Sequence, residues 1–263
     1  MKTSVSKLLN KAKKFPDSPG VYWFSEKNKK IYVGRATSLK KRIPSYFRNP
    51  KDPRISEMVE RAANVSFKKT GNLLEAVILE ANLIKKYSPK YNVKEKDNRS
   101  FLYLVVPVEP FPRPFIARAR EVEKYLAEGN QIFGPFESYQ IIKSVLNLVR
   151  RIFPFSACLP NQGKPCFDYQ IGLCPGICVG AISQKEYKEN IKNLILFFQG
   201  KHKRLVKKLK KENPKKLFAL KHIEDVALIN NPEIENLKFK IENFAQHFFP
   251  KKKKENFLTK KNC

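Results

Sequence analysis

Acidic residues, long apolar runs and scattered cysteines are what this chain lacks. Against 53 Lys and Arg stand only 24 Asp and Glu, a formal net charge of +29. Such a balance favours a polyanionic partner, nucleic acid first. Lys greatly outnumbers Arg, and Asn and Ile are abundant, so an AT-rich genome can account for part of the excess. No apolar run is long enough to cross a bilayer. The N-terminus, Met-Lys-Thr-Ser-Val-Ser-Lys-Leu-Leu-Asn-Lys, lacks the apolar stretch of a secretory signal. A cytoplasmic protein is the expectation. Only five cysteines are present, four of them between 158 and 178 and the fifth at Cys263. Clustering in a cytoplasmic chain points to metal rather than to disulfides. With 263 residues, 42% of them hydrophobic, the chain can build one large or two modest domains around a real core.

The stretch from Pro16 to Phe47 organises the first hundred residues. Lys7 to Lys14 reads as a basic helix that Pro16 and Pro19 end. Gly20 to Ser25 alternates, with Val21 and Trp23 on one face and Tyr22 and Phe24 on the other. Lys30 to Gly34 reads as a second strand, with Ile31 and Val33 opposite Tyr32 and Gly34, and Ser25 to Lys29 as the turn. Pairing of residue 22 at or near residue 32 places both tyrosines on one face. They would stand beside Gly34, where backbone can approach a ligand closely. On this pattern alone they can equally be ordinary strand aromatics packing a core. Arg35 reads as loop. Thr37 or Ser38 caps a helix in which Arg42 and Tyr46, four apart, share one side. Arg35, Arg42 and a tyrosine hydroxyl can then meet one phosphate, for which the planar guanidinium is suited.

Asp52-Pro53 opens a short helix to about Ala63, and Asn64 to Thr70 reads as a third strand. Asn72, with Glu75 three residues on, resembles a capping box for a helix to about Tyr87. Leu74, Val77, Ile78, Ala81 and Ile84 form its buried stripe. Glu80 falls at the margin of that stripe, where a carboxylate needs a cation. A divalent metal fits, and so does an ion pair with Arg42 or Lys86.

Gly20-Val21-Tyr22 and Tyr32-Val33-Gly34 resemble the signature of the GIY-YIG nucleases. Ser-Pro-Gly-Val-Tyr, Ile-Tyr-Val-Gly-Arg-Ala, Leu-Glu-Ala-Asn-Leu-Ile-Lys and Pro-Lys-Tyr-Asn-Val resemble the N-terminal nuclease domain of the UvrC family. The likeness runs on through Phe133-Gly134-Pro135-Phe136 to about Gly200. It implies an active site of Tyr22, Tyr32, Arg35, Arg42, Tyr46, Glu80 and Asn92. Glu80 would hold one Mg²⁺ or Mn²⁺, and Arg42 the scissile phosphate. Tyr22 would align or deprotonate the attacking water, with a pKa lowered by the metal and Arg35. Tyr32 would complete the polar cluster and Asn92 order it. Two departures stand out. The family usually has Lys where this chain has Arg35, a donor that does not readily lose its proton. Pro44 lies inside the helix of Arg42 and Tyr46 and can kink it.

In the second half, Phe101 to Val108, Pro114 to Arg120 and Ile132 to Phe136 are strand-like. A helix follows from about Ser138 to Ile152, with Ile141, Ile142, Val145, Leu148 and Val149 as its apolar side. Arg113, Arg118, Arg120, Arg150 and Arg151 are candidate phosphate contacts or simply solvated charges. Cys158, Cys166, Cys174 and Cys178 have the spacing C-x₇-C-x₇-C-x₃-C, which suits a tetrahedral zinc or a cubane iron–sulfur site and lacks paired C-x₂-C knuckles. The UvrC resemblance implies a structural [4Fe–4S] cluster, with zinc as the alternative. Ser183 to Gly200 reads as a capped helix, and Lys201 to Lys216 as a lysine-rich segment facing DNA or solvent. Leu217 to Asn230 resembles the segment after the UvrB-binding hairpin of that family, for which residues 200–217 leave no room. The Lys251 to Lys254 end reads as a frayed basic tail.

The fold class expected is α+β. A small GIY-YIG domain over 1–98, a three-stranded antiparallel sheet flanked by helices, is followed by a mixed α/β UvrC-like region over 99–200 with the four-cysteine segment. A basic helical tail over 201–263 completes it. The layout resembles the shorter, Cho-type members, which have only the N-terminal nuclease half. It implies a monomeric nuclease that cuts DNA on the 3′ side of a lesion, with damaged duplex DNA and UvrB as partners. A standalone structure-selective nuclease and a decayed DNA- or UvrB-binding module are the alternatives.

Overall fold

The computed structural model describes residues 2–48, 52–92 and 101–228, with side chains from residue 5 to residue 221. The boundary expected at 98/99, the Lys251 to Lys254 run and Cys263 lie outside the described residues.

The first sheet has the antiparallel order β2-β1-β3, from β1 (Gly20–Glu26), β2 (Lys29–Ala36) and β3 (Asn64–Lys69). Helices α1 (Lys2–Lys13), α2 (Leu39–Ser45) and α3 (Pro53–Arg61) supply residues to the core on one face, which gathers Tyr22, Phe24, Leu39, Ile43, Tyr46 and Met58. Ser38 caps α2 by accepting from Lys41 N–H at 3.2 Å, and Asp52 caps α3 at 2.8 Å. Helix α4 (Leu73–Tyr87) covers the other face, with Ala76 and Ile84 against Val21 and Val33.

The hairpin register differs from the expected one. The turn is only Lys27-Asn28, so Ser25 pairs with Lys30, and a bulge shifts the next pair to Phe24–Tyr32 and then Tyr22–Gly34. Without the extra residue, Ile31, Tyr22 would lie opposite Val33, and Tyr32 would point to the other face. The bulge therefore puts both tyrosines on one face. It also moves Ile31 into the core on the tyrosine side, not the Val33 side. Arg35 is a strand residue paired with Val21, not loop. Asn72 does cap α4, accepting from Glu75 N–H at 2.7 Å, but the Glu75 carboxylate accepts from Gly71 N–H instead, so the reciprocal box is incomplete.

The second sheet has the antiparallel order β5-β4-β6, from β4 (Leu102–Val106), β5 (Phe115–Arg118) and β6 (Gln131–Phe136). The strand expected to reach Arg120 stops at Arg118. There α5 (Ala119–Ala127) begins, with Glu121 accepting from Arg118 N–H at 3.0 Å. Helix α6 (Tyr139–Ile152) buries Ile142, Val145, Leu146, Val149 and Ile152. After the short α7 (Phe167–Gln170), α8 (Gln184–Phe198) starts at a full capping box between Ser183 and Glu186.

The lysine-rich segment is helical, as expected, and it also packs on the core. It folds as α9 (His202–Glu212) and α10 (Pro214–Leu228), broken at Asn213-Pro214. Leu205, Leu209, Ala219 and Leu220 join the main core with α8, and α4 contributes Leu74, Val77, Ile78 and Ala81 to that same core. One helix thus packs on both sheets. No described helix is long and apolar enough to cross a membrane.

Candidate functional site

The tyrosine cluster forms because three elements deliver hydroxyls to one point. Tyr22 comes from the central strand, Tyr32 from the edge strand and Tyr46 from the C-cap of α2. Tyr46 is the hub. Its hydroxyl shares a 2.6 Å hydrogen bond with Tyr22 and a 3.1 Å bond with Tyr32, and it accepts from the Arg42 guanidinium at 3.2 Å. Pro44 does not disturb this. Beyond it the turn tightens to three-residue spacing, with Tyr46 N–H donating to Ile43 O at 3.2 Å and Phe47 N–H to Pro44 O at 3.1 Å. Gly34 makes room for the cluster. A Cβ there would lie 2.7 Å from the Tyr22 hydroxyl, so only glycine leaves room for that phenol.

Tyr22 is 1% exposed and Tyr46 6%, while Tyr32 is half-buried. Burial, reinforced by the neighbouring phenols, pushes the Tyr22 pKa well up, the reverse of the lowering expected of a base. Burial and Tyr46 push Tyr32 up as well.

Glu80, on α4, is 6% exposed, and its partner is Arg35 on β2, not Arg42 or Lys86. Burial raises the Glu80 pKa to about 7, although Arg35 opposes the rise. Desolvation wins there because Arg35 alone does not replace the lost water. Arg35 and Arg42 therefore sit in two hydrogen-bonded groups, one with Glu80 and one with the tyrosines. Asn92 is buried, and both ends of its amide are spent on one residue. It accepts from Val33 N–H and donates to Val33 O, each at 2.7 Å. It occupies the open edge of β2 as a further strand would.

One residue was not singled out by its sequence. Glu137 directly follows β6, and β6 lies along α4, where Lys85 donates to Ile132 O at 3.2 Å. Its exposed carboxylate is near enough to Tyr32 and Glu80 to help raise both pKa values. The only signal for it is its place after the Phe-Gly-Pro-Phe motif.

The cysteines form a separate site. The Sγ atoms of Cys158, Cys166, Cys174 and Cys178 all lie within 4.8 Å of one another, with Cys158 and Cys174 3.7 Å apart. Ser156 shares a 3.1 Å hydrogen bond with Cys174, and Cys166 N–H donates to Cys178 Sγ at 3.5 Å. Arg150 braces this segment, donating to Phe155 O at 2.9 Å and pairing with Asp168 at 2.7 Å. It is thus committed, as is Arg113, paired with Glu109 at 3.1 Å.

Residues 18–93 match the family described as UvrC-like GIY-YIG domain, and residues 101–197 match UvrC/Cho excinuclease, middle domain. UvrABC system protein C of Carboxydothermus hydrogenoformans is 40% identical over 212 residues, covering 78% of this chain and 34% of the relative. That of Moorella thermoacetica is 39% identical over 211 residues, covering 78% and 34%. This chain spans about a third of the length of these relatives. The GIY-YIG N-terminal endonuclease domain of UvrC from Thermotoga maritima, solved with magnesium, is 44% identical. It covers 35% of this chain and 100% of its own, with a TM-score of 0.32.

Proposed function

We propose, because this chain belongs to the UvrC family of GIY-YIG nucleases, that it is a metal-dependent DNA endonuclease of excision repair, cutting one phosphodiester on the 3′ side of a lesion. Damaged duplex DNA held by UvrB is the substrate, and the protein acts in the cytoplasm. The convergence of Tyr22, Tyr32 and Arg42 on the Tyr46 hydroxyl carries this reading. Residues 1–98 are read as the nuclease unit and 99–200 as the middle unit, to which α9 and α10 add core residues.

Glu80 is the metal ligand in this reading. One buried carboxylate suits an Mg²⁺ that keeps most of its waters, and Arg35 competes with the cation for it. When bound, the ion polarises the phosphodiester and stabilises the charge that develops on it. The remaining work belongs to side chains. Arg42 grips the scissile phosphate, held in place by its bond to Tyr46. Tyr32, the least buried of the three phenols, is the one that can orient a water, while Tyr22 and Asn92 position Tyr46 and β2. This moves water alignment from Tyr22 to Tyr32.

The four cysteines are read as ligands of a structural [4Fe–4S] cluster. Zinc is the second reading, favoured by one observation. A single ion about 2.3 Å from four thiolates holds them about 3.8 Å apart, close to the Cys158–Cys174 separation of 3.7 Å. Anaerobic purification separates the two: brown protein containing iron supports the cluster, and stoichiometric zinc without iron overturns it.

A nicking assay on lesion-bearing duplex, with Mg²⁺ or Mn²⁺ and with or without UvrB, tests the activity. The expected result is one 3′-side nick that needs UvrB and is lost in Glu80→Ala. Cutting that survives Glu80→Ala removes the metal assignment. Cutting without UvrB makes the chain a standalone nuclease, and no cutting at all makes it a binding module.

A further inference from the structure

Beside the β1–β2 turn lies an open groove of 680 Å³, lined by Glu26, Lys27, Asn28, Lys29, Lys30, Arg61 and Tyr87. Its charge is unbalanced. Glu26 is spent on Arg61 at 2.9 Å, whereas Lys27, Lys29 and Lys30 have no carboxylate partner among the described residues. Lys30 Nζ stands 4.0 Å from the Tyr87 ring centre and 5.1 Å from that of Trp23, so two aromatic faces flank one cation. Lys86 adds a further charge 5.3 Å from Tyr87.

The turn itself points the same way. Lys27 takes φ +52°, which Gly or Asn adopts at less cost. A lysine held there places its charge at the tip of the hairpin at the expense of local strain. Lys30 and Lys86 also lower the Tyr87 pKa, which reports a field that favours an oxyanion at this spot.

The groove is aligned with the proposed site. β2 and α4 run side by side, with Arg35 and Glu80 paired towards one end and Lys30 beside Tyr87 at the other. Five strand steps separate Arg35 from Lys30, about 16 Å at roughly 3.3 Å per step and less with the bulge at Ile31.

We propose that this groove is a second nucleic-acid contact, in which Lys27, Lys29 and Lys30 hold the phosphodiester backbone of DNA away from the bond that is cut. It rests on the nuclease reading for the identity of the ligand, but not on catalysis. Phosphate contacts of this kind fix register and carry no sequence preference. The Tyr87 ring beside these lysines suits a nucleic acid better than an acidic protein, because aromatic rings interleaved with cations are the pattern of nucleic-acid grooves.

The test uses a built-in reporter, since Trp23 is the only tryptophan of the chain. The full chain is titrated with labelled duplex DNA in EDTA, reading tryptophan emission and DNA anisotropy over a range of salt. Lys27→Gln/Lys29→Gln/Lys30→Gln should weaken binding about tenfold, flatten the log–log salt slope by about 2 to 3, and abolish the Trp23 response. Lys29→Gln/Lys30→Gln, which leaves the strained turn intact, should give an intermediate loss with an unchanged melting temperature. Unchanged affinity and slope in both variants, or a silent Trp23 on wild-type binding, would overturn the proposal. So would a Trp23 response to polyglutamate equal to that with DNA. Glu80→Ala should keep the full Trp23 response. A chain that never nicks DNA yet gives this response supports the groove while removing the nuclease reading.

Discussion

At the scale of single residues, the chemistry turns on which hydroxyl and which cation are free. Tyr46 carries three polar contacts in the cluster, and Tyr22 one of them. Tyr46→Phe removes all three and should lower the nicking rate about a hundredfold or more while the fold persists, since positioned polar groups typically contribute about 10² to 10⁴. Tyr22→Phe loses one buried bond and should cost less. Single-turnover nicking at saturating DNA checks the order, and equal losses would remove Tyr46 as hub. Arg35 makes the opposite prediction for binding. Because its guanidinium occupies the Glu80 carboxylate, Arg35→Gln should tighten Mn²⁺ binding up to roughly tenfold, a coupling on the order of 1 kcal/mol. Electron paramagnetic resonance of free Mn²⁺ reads this without any cleavage, and weaker binding would exclude competition. That Tyr22, Tyr32, Arg42 and Tyr46 meet was legible through the family resemblance of their motifs, since the strand pattern alone left the tyrosines as core aromatics. The Arg35–Glu80 pair was not, since it joins residues 45 apart through the packing of a helix on a strand.

At the scale of elements, the alternation of Val21, Tyr22, Trp23 and Phe24 reveals the strand and its two faces, but not the register. That depends on a two-residue turn and a bulged Ile31, and no periodicity marks an inserted residue. The edge of β2 is likewise invisible in sequence until Asn92 is seen closing it. Asn92→Ala leaves Val33 N–H and O unpaired in a buried place and should destabilise by about 1–3 kcal/mol for each group. A denaturant melt should show a lower midpoint with an unchanged slope. On α8, Tyr187 binds two loops at once, accepting from Ser156 N–H at 3.0 Å and donating to Pro112 O at 2.6 Å. Burial pushes its pKa up to about 12. Below about pH 10 the phenol keeps its proton folded or unfolded, and its contribution is whole. From there to about 12 only the unfolded chain releases the proton, so stability falls as pH rises. Alkaline unfolding should be less steep in Tyr187→Phe, and identical pH profiles would show that this phenol does not titrate with unfolding.

At the scale of the whole molecule, α4 makes two sheets into one body. Its Ala76 and Ile84 serve the first sheet, and Leu74, Val77, Ile78 and Ala81 the core of the second, which α9 and α10 complete. A lysine-rich composition concealed that role, because two leucines four apart are a thin signal among so many charges. Leu209→Ala should therefore cost about 2–5 kcal/mol and lower the melting temperature of the chain, where a solvated tail would give no change. The same architecture carries Glu137 from the second sheet to the site on the first. Its carboxylate helps to raise the pKa of Glu80 and of Tyr32, so the two share one field. A negative charge at that distance also attracts a cation to Glu80. Glu137→Gln should thus weaken Mn²⁺ binding several-fold, the opposite sign to Arg35→Gln. Being exposed, the side chain should leave the melting temperature within experimental error. If both variants shift Mn²⁺ affinity in the same direction, the effect is disturbance of Glu80 and not charge, and the middle domain has no electrostatic part in the site.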